Sequence, residues 1–216
     1  MSKEKRLIIL IIVCIISVLC VMLSQLSQLF KGILGLIFPI VFNIIIAIIT
    51  VFAMKITKME IDTNYKNYKQ YIIGIDLCAL LILLFGIIPL SCGTNFFIGS
   101  REEFSLFAFI YNLFQYIVII GPVEELLFRF YIQDTIKDFL PNLKWISVIV
   151  SSILFGAFHF DFNLMSYIIK ACMISFLALF FGGVKYYFDK DFGYFGLALC
   201  HGLYDFLLYV IRLTIA

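Results

Sequence analysis

The sequence predicts an all-α polytopic membrane protein, a bundle of about seven transmembrane helices, and three observations predict it. Of 216 residues, 63% are hydrophobic and 14% charged, where ordinary globular domains use about 45–50% apolar residues. Mean hydropathy is +1.09. Apolar runs of hydrocarbon length recur along the chain, and they are continuous rather than alternating, which selects helices over the strands of a barrel.

The runs are 7–30, 33–54, 71–90, a long segment 104–138, then 143–160, 164–184 and 191–213. MSKEKR before Leu7 resembles the charged start of a signal peptide. The apolar run behind it continues to Phe30 without a small-residue cleavage site, so a retained first helix is expected. Breaks between runs carry turn signals: Lys31-Gly32, the polar stretch 55–70, SCGTN at 91–95, Pro141-Asn142, Asp161–Asn163 and DKD at 189–191. As one straight helix, 104–138 would be roughly 50 Å long against a hydrocarbon core of about 30 Å. It must tilt and project, or break at Gly121-Pro122, which would make eight spans and invert everything downstream.

With the N-terminus cytoplasmic, the inner segments hold Arg6, Lys58, Lys137, Lys144, Lys185, Lys190 and five further lysines. The outer ones hold Lys31, Arg101 and Arg212. The positive-inside rule selects that orientation, in a cell membrane. No basic patch interleaved with aromatics suggests nucleic acid as a partner. The six cysteines (14, 20, 78, 92, 172 and 200) lack CxxC or metal-finger spacing, and most of them read as small packing residues.

Ionisable groups at membrane depth are expensive and point to function. Apart from Asp76 they fall in the second half of the chain: Glu124, Glu125, Arg129, His159, Lys170, His201 and Asp205. On a helix, Glu125 and Arg129 stand at i and i+4 and can pair, while Glu124 points about 100° away and is not neutralised by that pair. A carboxylate in such a place suits a general base or acid. The bland alternative is an interhelix salt-bridge cluster that holds the bundle together. His201 and Asp205 are also at i and i+4 and share a face. Counted from the turn at Pro141, Glu124 lies 17 residues back and His159 lies 18 forward, so an antiparallel hairpin sets them at one depth. Lys170, near the start of its span, is expected to snorkel to the interface. Gly182-Gly183 and Gly193/Gly196 predict close helix approach.

EELLFR at 124–129, FGAFH at 155–159 and HGLYD at 201–205 resemble the ordered motifs EExxxR, FxxxH and HxxxN/D of the CPBP family of intramembrane proteases. That family includes CAAX prenyl endopeptidases and bacteriocin-processing or self-immunity proteins. The resemblance covers about residues 104–213 and divides the chain into N-terminal transmembrane helices of unassigned role (1–100) and a CPBP-like catalytic membrane domain (101–216). It implies an intramembrane protease that hydrolyses a peptide bond in a membrane-associated or hydrophobic substrate. Glu124 would activate water with His159, His201 and Asp205 would stabilise the oxyanion, and Glu125 and Arg129 would support the site. CAAX-processing members typically carry Asn where this chain has Asp205, and an ionised Asp cannot donate to an oxyanion.

No cofactor is required on this reading, because a water held by Glu124 and His159 needs no further ligand. The sequence has no HExxH. Glu124, His159, His201 and Asp205 nevertheless form a donor set that suits a divalent metal such as zinc, with an open position for water. Two other classes stay open at this point: a proton-coupled transporter, against which stands the absence of an inverted repeat, and a non-catalytic immunity or scaffold protein.

Overall fold

The computed structural model describes residues 1–25, 32–61, 65–94, 101–161, 163–188 and 191–214. Parts of the expected 7–30 run and of the breaks at Lys31, 55–70, Asn95, Phe162 and Asp189-Lys190 lie outside the described residues. Among the described residues there are seven helices and no strand. They are α1 (Lys3–Gln25), α2 (Ile33–Thr57), α3 (Tyr68–Ser91), α4 (Leu106–Phe139), α5 (Lys144–Phe158), α6 (Leu164–Tyr187) and α7 (Tyr194–Thr214). Six are long and apolar enough to cross a membrane, and α5, with 15 residues, is shorter. The chain is an integral, multi-pass membrane protein.

Helix starts follow local chemistry. The side chains of Asn67, Ser105 and Asn163 accept from the amides of Lys69, Ala108 and Ser166, at 3.2, 3.5 and 3.0 Å. These caps satisfy donors that a first helical turn leaves without partners.

Of the two alternatives for the long segment, the structure shows the unbroken helix. α4 continues through Gly121 and Pro122 and reaches 34 residues. Its backbone widens to i→i+5 turns over Gln115–Ile120 and again over Leu126–Gln133. A proline ring in a helix clashes with the carbonyl four residues back, here Val118, and a widened turn at that place relieves the clash. The proline is absorbed and no eighth span forms.

The chain divides into two compact units. The first contains α1, α2, α4 from Val123 onwards, α5 and α6. Its α5 and α6 approach closely at Gly156, where a Cβ would lie 2.2 Å from the Ala171 carbonyl oxygen. At Gly182 a Cβ would meet Gln133 and Val148 at 3.0 Å, whereas Gly183 faces open space and takes no part in the expected close contact. One end of this unit gathers charge: Arg6 pairs with Asp138 at 2.9 Å and Lys185 with Asp134 at 2.5 Å.

The second unit contains α3, α4 up to Pro122, and α7. Here backbones touch. A Cβ at Gly196 would lie 2.4 Å from the Gln70 carbonyl oxygen, and one at Gly202 would lie 2.6 Å from that of Tyr116. The Gln70 side chain accepts from the Gly196 amide at 3.1 Å, and the Tyr194 hydroxyl donates to the Pro122 carbonyl at 3.0 Å. Small residues that let backbones meet, and polar side chains that bridge them, are the means by which helices associate in lipid.

Candidate active site

In the first unit the site rests on Arg129. Its side chain and that of Glu125 are both fully buried, with Arg129 Nε 3.6 Å from Glu125 Oε2. Nη1 donates to Ser151 Oγ on α5 and Nη2 to the Ala178 carbonyl on α6, each at 3.2 Å. Ser151 in turn donates to the Phe128 carbonyl at 2.7 Å. One guanidinium therefore ties three helices, with geometry that Lys could not reproduce because its ammonium is a point charge. One turn further along, Gln133 repeats the pattern by donating to the Gly182 carbonyl at 3.2 Å.

Aromatic packing then sets the register of the α4–α5 hairpin. Phe128 meets Phe155 and Phe158 edge-on, each with ring centres 4.9 Å apart. Moving one turn back from Phe128 gives Glu124, and one turn on from Phe155 gives His159. In an antiparallel pair these steps go the same way, so Glu124 and His159 share one level, as the residue count from Pro141 predicted. Glu124 is half-buried and lies within the electrostatic reach of Arg129.

His159 ends α5. Its amide donates to the Gly156 carbonyl at 3.1 Å, and its Nδ1 lies 2.9 Å from the Phe155 carbonyl oxygen. A carbonyl can only accept, so Nδ1 carries a proton and the neutral ring presents a lone pair at Nε2. The turn that follows is fastened to α6: Asp161 accepts from the Asn163 amide and Ser166 Oγ, both at 3.0 Å, and pairs with Lys170. Lys170 thus has a partner at the near end of its helix and does not extend into the span.

In the second unit His201 is buried on α7, and its Nε2 lies 3.4 Å from Asp205 Oδ2. The pair expected from the i,i+4 spacing is formed. Within each unit, among the described residues, no three His, Cys, Asp or Glu side chains gather into a metal-holding group. Of the zinc donor set drawn from the sequence, Glu124 and His159 belong to the first unit and His201 and Asp205 to the second.

A model of the Rce1-like type II CAAX prenyl endopeptidase family matches residues 106–207, just under half of the chain. All three motifs lie inside the match. This half of the chain is similar to that family, consistent with the resemblance of its motifs to the CPBP family. The similarity supports an intramembrane endopeptidase in general, and α1, α2 and α3 precede the match. No curated protein and no solved structure matches the chain.

Sequence reasoning missed Ser151 and Gln133 as members of the polar frame. A signal for Gln133 was present, since Glu125, Arg129 and Gln133 follow one another at i, i+4 and i+8 along one face of α4.

Proposed function

We propose that the protein hydrolyses a peptide bond in a membrane-associated or hydrophobic protein substrate, with a water activated by Glu124 and His159. The observation that carries the reading is the α4–α5 register, in which a half-buried carboxylate and an imidazole whose Nδ1 is occupied stand at one level on a frame braced by Arg129. A water that donates one hydrogen bond to Glu124 and one to His159 Nε2 turns an oxygen lone pair towards a substrate carbonyl. As that oxygen bonds to the carbonyl carbon, Glu124 takes the water proton. The proton then passes to the leaving nitrogen as the C–N bond breaks, giving an acid and an amine and returning Glu124 to its ionised form. The reaction as written needs no metal.

For His201 and Asp205 the family motif supplies the role of oxyanion stabilisation. Because Asp205 stands against Nε2, we assign it the orientation of His201 and not direct donation. To donate through Nδ1 while Nε2–H serves Asp205, His201 must carry both protons, with Asp205 as the countercharge. The basic end of the first unit, with Arg6, Lys58, Lys137 and Lys185, is the cytoplasmic face on this reading, in a cell membrane.

The test is purified protein in proteoliposomes with a library of membrane peptides, comparing wild type with Glu124→Ala and His159→Ala. Cleavage by wild type that both variants lose supports the assignment. No cleavage by wild type, with divalent metal supplied or chelated, overturns it, and an ion flux abolished by the same variants indicates transport instead.

A further inference from the structure

The first unit carries its own markers of membrane level, and they fix the depth at which Glu124 and His159 stand. α5 has 15 residues and so rises about 22 Å, short of a hydrocarbon core of about 30 Å. Its first turn is marked: the Trp145 ring packs on Tyr186 and Tyr187 at the end of α6, with ring centres 4.7 and 5.4 Å away. Trp and Tyr collect where hydrocarbon meets the headgroups. Measured from Trp145, His159 lies about 21 Å along the helix, in the far half of the core. Glu124 shares that level through the Phe128 contacts.

Charge identifies the near end. Arg6 of α1, Lys55 and Lys58 of α2, Lys137 of α4, Lys144 of α5 and Lys185 of α6 gather there. The Arg6–Asp138 and Lys185–Asp134 pairs join their helices, and the Thr135 hydroxyl donates to Met59 Sδ at 3.2 Å. At the opposite end the described residues of this unit hold Lys170, which pairs with Asp161. Lysine and arginine stay on the cytoplasmic side, and carboxylates weigh little in the orientation. On that rule the Trp145 end is cytoplasmic, and His159 closes α5 near the other surface, followed by a polar turn in which Asn163 is exposed.

The core between the two ends is closed. Arg129, Tyr131 and Ile132 of α4, Ser151 and Ser152 of α5 and Ala178 of α6 are fully buried, and Arg129 bonds across all three helices. A molecule arriving from the cytoplasmic end would have to part this layer and strand a buried charge. Towards the other surface the packing opens. Glu124 and His159 are half-buried, and Leu164 and Met165, just beyond the turn, are 71% and 67% exposed.

We infer that the site takes its water and its substrate from the extracytoplasmic face, and that the substrate is a polypeptide segment held at the outer leaflet. Its scissile bond then lies at the outer edge of the hydrocarbon, at the level of His159. A chain end anchored in the cytoplasmic leaflet would present its bond about 21 Å away, behind the closed layer. The substrate rests on the reading of Glu124 and His159 as the hydrolytic pair; the face rests on charge and packing alone.

The test labels engineered cysteines in intact cells that express the full chain, with the exposed Cys92 and Cys172 changed to serine. Asn163→Cys reports the turn after His159, and Asn142→Cys the turn between α4 and α5, both from exposed positions. Leu164→Cys leaves the Asn163 cap in place and repeats the first reading. Asn163→Cys and Leu164→Cys should react with a membrane-impermeant maleimide added outside. Asn142→Cys should lose that labelling in intact cells and regain it on permeabilisation. Labelling of Asn142→Cys from outside, or of neither Asn163→Cys nor Leu164→Cys, overturns the inference whatever the activity. A membrane peptide that the purified protein cleaves, given a charged tail that holds it in one leaflet, should be cut when added to intact cells and spared by inside-out vesicles. The reverse also overturns the inference. The expected labelling with no peptide cut by the purified protein overturns proteolysis, and the substrate with it, while the face stands.

Discussion

The guanidinium of Arg129 lies 5.0 Å from the centre of the Phe155 ring, on a side chain that is fully buried. The same Phe155 ring lies 4.9 Å from the imidazole of His159. Phe155 therefore links the arginine of the first motif to the histidine of the second. An aromatic residue one turn before the histidine thus packs the imidazole against a frame that cannot shift without stranding a buried charge.

Arg129→Lys tests the frame. The ammonium keeps the charge but loses the planar fork that reaches Ser151 and the Ala178 carbonyl together. Arg129→Met also leaves Glu125 buried without its countercharge, a loss of about 3–5 kcal/mol for a broken buried pair. Thermal unfolding in detergent should rank wild type above Arg129→Lys above Arg129→Met. A lysine variant as stable as wild type would show that the charge alone supports the frame.

The proposed function gives the neighbours Glu124 and Glu125 different duties, and isosteric substitutions separate them. Glu124→Gln should cut cleavage by about 10²–10⁴-fold, the contribution of a general base, with little change in melting temperature. Glu125→Gln should lower the melting temperature, because it removes the charge that Arg129 Nε faces at 3.6 Å. Paired measurements of activity and melting decide it. A Glu124→Gln enzyme with unchanged turnover would remove that residue from the base role.

The i,i+4 pairs Glu125–Arg129 and His201–Asp205 were legible in the sequence because helix geometry alone fixes them. So was the shared level of Glu124 and His159, which needs only a turn at Pro141 and equal rise on both helices. Ser151, the Ala178 carbonyl and Gln70 were not legible, since each acquires its partner from how separate helices pack. Asn43 makes the same point in reverse: an interhelix bond is the natural expectation for a polar residue in a span, yet its side chain donates to the Pro39 carbonyl on its own helix at 2.9 Å. Pro122 left a break open as an alternative because propensity sees the proline and not the widened turn before it.

Glycine substitutions separate close helix approach from mere composition. Gly196→Ala places a methyl group 2.4 Å from the Gln70 carbonyl oxygen, where backbone on both sides leaves no room. A loss of about 1–3 kcal/mol is expected from such overpacking. Gly183→Ala meets nothing within 4 Å and sits inside α6, so it should be neutral or raise stability by up to about 1 kcal/mol. Melting curves of the two variants in one detergent give the comparison. Equal effects would mean that α3 and α7 are not in backbone contact.

Asp161 supplies a pH test of the turn that carries His159. Its hydrogen bond with Lys170, then those from the Asn163 amide and the Ser166 hydroxyl, lower its carboxyl from 3.8 to about 2. A folded-state value below the unfolded one stabilises the turn fully above about pH 4, and that contribution is lost as pH falls through about 2. Lys170→Met removes the largest cause. The Asp161 carboxyl followed by carbon NMR should then titrate closer to 3.8, and the Asn163 amide should lose its protection from hydrogen exchange at a higher pH than in wild type. Because the Tyr167 hydroxyl also fastens the last turn of α5 to α6, donating to the Ala157 carbonyl at 2.8 Å, the variant should loosen Asp161 and Asn163 without unfolding α5. An Asp161 midpoint that stays near 2 in Lys170→Met would assign the shift to the Asn163 and Ser166 bonds and leave Lys170 an exposed charge with no hold on the histidine turn.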